Sequence, residues 1–147
     1  MQLALGRAGE LPRGRMDALR EEALFAELTP AQWESVLAEA RWGFARSNRV
    51  LCAQGGFATA FCVIVEGQVG VYRECAERGR KRLGALGVGG WMGEESLMGH
   101  CRLPYSLVTE RSSCFLVLEG SLFCALTRST RTGLGRFLRS SGRVRSA

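Results

Sequence analysis

The sequence predicts a mainly β domain, an antiparallel sandwich or barrel with helices at both ends. Three observations support this prediction. Apolar residues recur at helical spacing before residue 43, short apolar or alternating runs fill residues 46–119, and a helical pattern returns near residue 121. Many short strands separated by turn residues at roughly ten-residue steps are typical of such β folds. With 147 residues, the chain has the length of one domain.

Residues 1–15 precede the first periodic segment. They are rich in Gly, Arg and Pro and show no periodicity, so we expect a disordered lead-in. From Met16 onward, apolar residues at three- and four-residue steps predict helices over residues 16–42.

The second helix in this segment has a recognisable start. Thr29 is expected at the N-cap, Pro30 at the first helical position, and Gln32 three residues after the cap. Thr and Gln at this spacing form a capping box, in which each side chain bonds to the other residue's backbone N–H. The predicted buried stripe of this helix comprises Trp33, Val36, Leu37 and Ala40.

The pattern changes from helix to strand at Arg46. Runs such as "FCVIVEGQVGVYRE" and "SCFLVLEG" are apolar or alternating, and glycines separate them. We therefore expect the β part over residues 46–119. Apolar residues at helical spacing then predict a C-terminal helix over about residues 121–139, followed by a basic tail at 141–147.

Composition excludes several classes of protein. The longest apolar run, Phe61–Val65, is far shorter than a membrane-spanning helix. The N-terminus lacks the apolar core of a secretory signal, so we expect a cytoplasmic location. The six cysteines contain no C-x-x-C pair, which predicts reduced thiols, and no metal is expected.

The positive charge of the chain is concentrated at its end. The net charge is +6, and no acidic residue follows Glu119. The arginines after that position are Arg128, Arg131, Arg136, Arg139, Arg143 and Arg145. Such a tail suits nucleic acid or an acidic membrane. However, Phe137 is the only aromatic residue among these arginines, so no stacking platform for bases is evident. We expect a solvated face, with nucleic-acid binding as the less favoured alternative.

Three stretches of the sequence occur in a recognisable order. "LFAELTPAQWESVLAEA" is followed by "VLCAQGGFATAFCVIVEGQVGVY", which contains Gly55 and Gly67, and then by "LGVGGWMGEESLM". In this order they resemble the helical lead, the strand–glycine–strand signature and the phosphate-binding cassette of the cyclic nucleotide-binding domain family. This β-roll module occurs in catabolite-activator-type regulators, kinase regulatory subunits and some channels. The resemblance implies an antiparallel β-roll or jelly-roll barrel within a domain at residues 16–140.

The same resemblance identifies candidate ligand-binding residues at Gly93, Glu94, Glu95 and Ser96. In the family, backbone N–H groups of the cassette face the cyclic phosphate, as amides at a helix start suit an anion. Glu94 falls on the glutamate that accepts a hydrogen bond from the ribose 2′-hydroxyl, and a carboxylate is suited to that as an acceptor. Alternatively, Glu94 is an exposed acid at the start of a short helix, and Glu95 a solvated one.

One position departs from the family pattern. Members that bind cyclic AMP or cyclic GMP tightly carry an arginine about ten residues after that glutamate, and its guanidinium pairs with the phosphate. Here that position is Pro104. Arg102 and Ser106 are candidate replacements, with a surface arginine and a turn serine as the alternatives. Tyr105 is placed to fill part of the ligand volume. A missing charged hydrogen bond weakens binding roughly tenfold to a hundredfold.

His100 and Cys101 raise a further possibility, because some members of the superfamily hold haem and this residue pair includes potential iron ligands. A surface histidine is the simpler interpretation. No nucleophile, base and orienting acid are arranged for catalysis, so we do not expect an enzyme.

The sequence therefore predicts a regulatory module that senses cyclic AMP or cyclic GMP and signals through its flanking helices. By resemblance, the C-terminal helix closes over the base when ligand binds. No helix-turn-helix segment follows this helix, so we expect output through a protein effector or partner domain, with a homodimer possible, or a sequence that is a fragment. The alternative is a degenerate β-roll that has lost its ligand and serves as a protein-interaction scaffold.

Overall fold

The structure, a computed structural model, describes residues 4–7, 13–99 and 101–129. Helices pack on one face of a five-stranded sheet, and the other face of that sheet packs on a four-stranded sheet. The helices are α1 (Arg13–Glu21), α2 (Ala23–Ala26), α3 (Pro30–Glu39), α4 (Glu94–Gly99) and α5 (Gly120–Ser129). The strands are β1 (Ala4–Arg7), β2 (Arg41–Ala45), β3 (Val50–Cys52), β4 (Ala60–Glu66), β5 (Val69–Cys75), β6 (Gly79–Leu86), β7 (Trp91–Met92), β8 (Ser106–Thr109) and β9 (Ser113–Glu119).

Both sheets are antiparallel throughout. The five-stranded sheet has the order β1-β2-β9-β4-β7, and the four-stranded sheet has the order β3-β8-β5-β6. This confirms the predicted mainly β fold with flanking helices. The two sheets remain separate layers of a roll and do not close into one continuous barrel. Within the described ranges, no helix has the length and apolar composition needed to cross a bilayer.

The central strand β4 explains why its sequence is a continuous apolar run. Phe61, Val63 and Val65 belong to the core under the helices. Cys62 and Ile64 belong to the core between the two sheets. Side chains alternate between the two faces of a strand, so a strand covered on both faces is apolar at every position. Strand β9 follows the same rule, and the five-stranded sheet is therefore the middle layer of the domain.

The start of α3 confirms the predicted capping box. Thr29 Oγ1 accepts from the Gln32 N–H at 3.2 Å, and Gln32 Oε1 accepts from the Thr29 N–H at 2.8 Å. Val36 and Ala40 are buried as predicted. The prediction was wrong for Leu37, which is 36% exposed because it lies at the border of the narrow stripe that faces the core.

The boundary between helices and sheets lies earlier than predicted. We expected helices to residue 42 and strands from Arg46, but α3 ends at Glu39 and β2 occupies Arg41–Ala45. Ala40 has an extended conformation (φ −70°, ψ 157°), which ends the helix and lets the chain enter the sheet. Pairing with β9 along all five positions then fixes β2, a long-range constraint that periodicity does not reveal.

Two further boundaries differ from the expectation. The lead-in at residues 1–15 was expected to be disordered, but Ala4–Arg7 pairs with β2 and α1 begins at Arg13. The C-terminal helix begins at Gly120, one residue before the predicted start. The rest of the predicted helix to residue 139 and the tail at 141–147 lie outside the described residues, so the division at residue 140 stays a prediction.

A polar network ties the outer face of the four-stranded sheet to the turn between β8 and β9. The Arg82 guanidinium donates two hydrogen bonds, of 2.8 and 2.9 Å, to the Glu110 carboxylate. The Tyr72 hydroxyl and the Gln68 amide also donate to this carboxylate. Together, with Arg82 as the largest cause, they lower the pKa of Glu110 to about 2. A Cβ at Gly70 would lie 2.6 Å from the carboxylate, so glycine leaves room for the network.

The network predicts an acid-dependent loss of stability. The folded-state pKa of Glu110 lies below its ordinary value of 4.5, so its contribution is present above pH 4.5 and is lost as pH falls toward 2. Because Arg82 is exposed and its charge is screened, we expect Glu110→Gln to lower the free energy of unfolding by only about 1 kcal/mol at pH 7. Urea unfolding at pH 7 and pH 3 measures this.

The matched control is Glu74→Gln, which removes an exposed ion pair with Arg80. We expect it to change the unfolding free energy by less than about 0.5 kcal/mol. An effect of Glu110→Gln that is as small as this control, or that does not shrink at pH 3, contradicts the assignment.

Candidate functional site

The candidate cassette begins where β7 meets α4. Gly93 connects them with a φ of +101°, a conformation that favours glycine. A Cβ at this position would lie 2.4 Å from the carbonyl oxygen of Ala60, on the first residue of β4. The backbone at Gly93 therefore lies directly against β4, and this close approach fixes the start of α4.

The three residues after Gly93 differ in their surroundings. Glu94 is buried, with 8% of its surface exposed, which is uncommon for an acid. Glu95 is half-buried. Ser96 is buried, and its Oγ accepts a hydrogen bond of 2.9 Å from the Ala58 N–H. The structure thus keeps the four predicted cassette residues together and uses the Ser96 hydroxyl to hold the preceding loop.

That loop, residues 53–59, also pairs with the segment that contains the departure from the family pattern. Leu103 donates its N–H to the Gly56 carbonyl at 2.8 Å and accepts from the Gly55 N–H at 2.8 Å. The 53–59 loop therefore joins α4 on one side to residues 101–105 on the other.

Arg102 lies on the surface of this junction. Its Nη1 donates to the Gly55 carbonyl at 2.8 Å, and its guanidinium lies 4.9 Å from the centre of the Phe57 ring. Phe57 is 53% exposed. In the structure Arg102 is thus bound to the 53–59 loop on the solvent side.

Residues 103–105 alternate between buried and exposed. Leu103 and Tyr105, which is only 6% exposed, belong to the core between the sheets, whereas Pro104 is exposed. The position of the family's arginine therefore carries no charge and is exposed, unlike its two buried neighbours. Tyr105 occupies interior volume beside it.

Ser106 is separated from the cassette residues by the register of the sheet. It lies opposite Tyr72, while the next residue, Leu107, lies in the core between the sheets. Because neighbouring strand residues face opposite sides, Ser106 lies on the outer face of the sheet, where it is covered and only 3% exposed. Its Oγ accepts from the Gln54 N–H at 2.9 Å. The structure does not bring Ser106 to the inner side with Gly93 and Glu94.

The start of α5 contacts both α4 and the 53–59 loop. The Gly120 N–H donates to the Thr59 carbonyl at 3.1 Å. A Cβ at Gly120 would lie 3.3 Å from Leu97 of α4, so the two helices approach closely there. Phe123 stacks on Phe61 of β4 with ring centres 4.6 Å apart. A displacement of α4 would therefore change the packing at the first turn of α5.

The cysteines and acids of the described residues form no group that could hold a metal ion. Cys52 and Cys62 are buried, and burial raises the pKa of each thiol, which favours the protonated, unreactive form. Cys101 is exposed, and its Sγ lies 3.2 Å from the Glu95 carbonyl oxygen. His100, the other residue of the haem alternative, lies outside the described residues.

The fold agrees with a comparison of sequences. A family model described as "Cyclic nucleotide-binding domain" matches residues 44–130, more than half of the chain. The chain belongs to the cyclic nucleotide-binding domain family. It is a regulatory domain of this type, as the order of the three sequence stretches predicted. No curated protein sequence matches this chain.

Solved structures share this fold. The sensor domain of the transcriptional regulator DNR from Pseudomonas aeruginosa is 19% identical, with a TM-score of 0.75 over 90% of this chain and 89% of that one. The regulatory domain of Toxoplasma gondii PKA, crystallised with cAMP, is 16% identical, with a TM-score of 0.71 over 80% of this chain and 46% of that one.

A third solved structure is the regulatory subunit of a cAMP-independent protein kinase A from Trypanosoma brucei. It is 14% identical, with a TM-score of 0.75 over 92% of this chain and 48% of that one. This cyclic nucleotide-binding domain spans less than half the length of either kinase regulatory chain. At these identities the likeness shows the fold alone.

The sequence did not reveal the position of the 53–59 loop beside the candidate cassette. Its residues carry no charged motif, and the available signal was the Gly55-Gly56 pair beside Gln54. Gly55 has a φ of +86°, which supports the turn, and the N–H groups of Gln54 and Gly55 bond to residues about fifty positions away. Such non-local pairing leaves little trace in a sequence.

The close approach at Gly93 predicts a large effect of a single methyl group. Gly93→Ala combines an unfavourable φ with a 2.4 Å contact to backbone, so we expect it to lower the unfolding free energy by about 2–3 kcal/mol. Thermal or urea unfolding measures this change.

Gly79→Ala is the matched control, because Gly79 also has a positive φ (+70°) but nothing lies within 4 Å of an added Cβ. We expect a loss of only about 1 kcal/mol there. Equal losses of unfolding free energy at the two positions would contradict the contact between residue 93 and β4 as the cause of the larger loss.

Proposed function

We propose that this domain senses a cyclic nucleotide at the corner formed by Gly93–Ser96, the 53–59 loop and residues 101–105. The observation that carries the proposal is the buried Glu94, which directly follows Gly93 at the cassette position of a domain that belongs to this family. A buried carboxylate beside a helix start supplies an acceptor for a sugar hydroxyl next to donors for an anion.

The binding mode that we propose divides the ligand between two groups. Backbone N–H groups at the start of α4 bind the cyclic phosphate, and the Glu94 carboxylate accepts a hydrogen bond from the ribose 2′-hydroxyl. Arg102 and Ser106 are less suited to the phosphate, because Arg102 is bound to Gly55 and Ser106 lies on the outer sheet face. Cyclic AMP and cyclic GMP share the phosphate and ribose, so both are tested.

The signal would pass from α4 to α5. Leu97 and Thr59 contact Gly120 at the start of α5. A ligand with higher affinity for one placement of α4 therefore also favours the placement of α5 that packs against it. Beside α5 lies a pocket of about 330 Å³, which offers a concave surface near the moving helix. Its lining residues are Glu39, Glu119, Ser121, Leu122 and Ala125. We propose a cytoplasmic protein effector or a second copy of the chain as the recipient.

A second candidate function is a scaffold without ligand. It is favoured by Leu103 and Tyr105, whose side chains fill the inter-sheet core next to the position of the missing arginine. In this alternative, the hydrogen bonds of Ser96 and the 53–59 loop serve only to stabilise the fold, and a protein partner binds without a nucleotide.

Removal of the charge at Glu94 tests the sensing proposal. We expect isothermal titration to give dissociation constants tighter than about 100 μM for cyclic AMP or cyclic GMP. Glu94→Gln should weaken this binding at least tenfold, because a hydrogen bond to a charged group contributes about 1.5–3 kcal/mol. Thermal unfolding of the variant verifies that the domain remains folded.

The control is Glu34→Gln, which makes the same change on an exposed position of α3. Its affinity should equal that of the unsubstituted domain. Absence of binding at millimolar concentrations of both nucleotides contradicts sensing and favours the scaffold.

Restoration of the family's arginine provides a gain-of-function test. Because position 104 is exposed, we expect Pro104→Arg to be tolerated and to strengthen cyclic nucleotide binding roughly tenfold to a hundredfold. Pro104→Ala removes the proline ring without adding charge and should leave the affinity within about threefold of the original. Equal gains in the two variants would mean that removal of the proline ring, and not the added charge, strengthens binding. That result would contradict a phosphate near position 104.

A further inference from the structure

The hairpin of β5 and β6 extends beyond the rest of the four-stranded sheet. Strand β8 pairs with β5 only as far as Tyr72, which lies opposite Ser106. The pairs Arg73↔Lys81, Glu74↔Arg80 and Cys75↔Gly79 continue as a two-stranded ribbon. This ribbon begins next to the strand that follows the 101–105 segment.

The inner face of the ribbon is a continuation of the sheet face that lines the roll. Val69 and Val71 of β5 are buried between the sheets. Because side chains alternate along a strand, Arg73 lies on that same face, two positions farther along. Lys81 is directly opposite Arg73 and shares the face.

The register also relates Arg73 to the position of the missing arginine. Ser106 lies opposite Tyr72, so one further step brings Tyr105 level with Arg73. Tyr105 belongs to the inter-sheet core, which places it on the inner face as well. Adjacent strands lie about 4.8 Å apart. Arg73 is therefore one strand away from the residue that directly follows Pro104.

Gln54 fixes the ribbon to the candidate site. Its side-chain amide binds the backbone of Glu74, accepting from the N–H at 2.9 Å and donating to the carbonyl at 3.3 Å. Its own N–H donates to Ser106 Oγ at 2.9 Å. Gln54 thus binds Glu74, which follows Arg73, through its side chain, and Ser106, which follows Tyr105, through its backbone N–H.

The two faces of the ribbon differ in how their charges are compensated. On the outer face Arg80 pairs with Glu74 at 3.2 Å and Arg82 pairs with Glu110 at 2.8 Å. On the inner face Arg73 and Lys81 are exposed, and neither side chain has a hydrogen bond or ion pair within residues 4–7, 13–99 and 101–129. Like charges directly opposite each other destabilise a sheet, which an anion between them would relieve.

We propose that Arg73, assisted by Lys81, binds the phosphate of the ligand in place of the arginine that is missing at position 104. This inference rests on the proposed function, because it assigns a residue to the anion of the same ligand. A planar guanidinium can pair with two phosphate oxygens, and Lys81 adds a second positive charge across the strand pair.

The test compares two arginines of the same hairpin. Arg73→Gln should weaken binding of cyclic AMP or cyclic GMP at least tenfold in isothermal titration. Arg78→Gln makes the same charge change in the turn between β5 and β6 and should alter the affinity by no more than about twofold. In a Pro104→Arg background, Arg73→Gln should weaken binding by less than about threefold, because the introduced arginine pairs with the phosphate, whereas a purely structural role of Arg73 predicts the same fold loss in both backgrounds.

The outcomes separate this inference from the function on which it rests. If the unsubstituted domain binds in a Glu94-dependent manner but Arg73→Gln binds equally well, the role of Arg73 is overturned and sensing stands. If Arg78→Gln weakens binding as much as Arg73→Gln, the effect is one of general charge and the role of Arg73 is likewise overturned. If the unsubstituted domain binds neither nucleotide, both proposals fail.

Discussion

The hydrogen bonds of the 53–59 loop are the interactions on which the candidate site depends. The Ala58 N–H donates to Ser96 of α4, and backbone groups of Gly55 and Gly56 bond to the backbone of Leu103. The Thr59 carbonyl accepts from the N–H of Gly120, the first residue of α5. Backbone groups in a partly buried loop need partners, and here the partners come from every segment around the site. One loop therefore aligns the cassette, the 101–105 segment and the C-terminal helix, so that a shift of one is transmitted to the others.

This arrangement rests on a sheet that has little freedom to move. Strands β4 and β9 are buried on both faces, and close packing on both sides resists displacement. By contrast, α4 has only six residues and is joined to the sheet by Gly93. Local rearrangements occur preferentially where few contacts oppose them. We therefore infer that ligand would move α4 and the 53–59 loop over a fixed sheet, with α5 as the reporter.

The sequence predicted features that depend on neighbouring residues. The capping box at Thr29 and the apolar run of β4 were visible because each is a short pattern, and the candidate cassette at Gly93 was proposed from such a pattern. It did not predict β2, which is defined by pairing with β9, or the outward position of Ser106, which follows from its register with Tyr72. Nor did it reveal the 53–59 loop as the junction of the site. These features arise from contacts between distant segments, and no local pattern encodes them.

The central claim is that a cyclic nucleotide binds at the corner of α4, the 53–59 loop and residues 101–105. Titration of the ¹⁵N-labelled domain with cyclic AMP and with cyclic GMP, followed by amide chemical shifts, tests it most directly. The account predicts that the largest shifts occur at the N–H groups of residues 93–96 and 54–58, with smaller shifts at the start of α5. Shifts that are absent at saturating nucleotide, or that are confined to surfaces away from this corner, would contradict it.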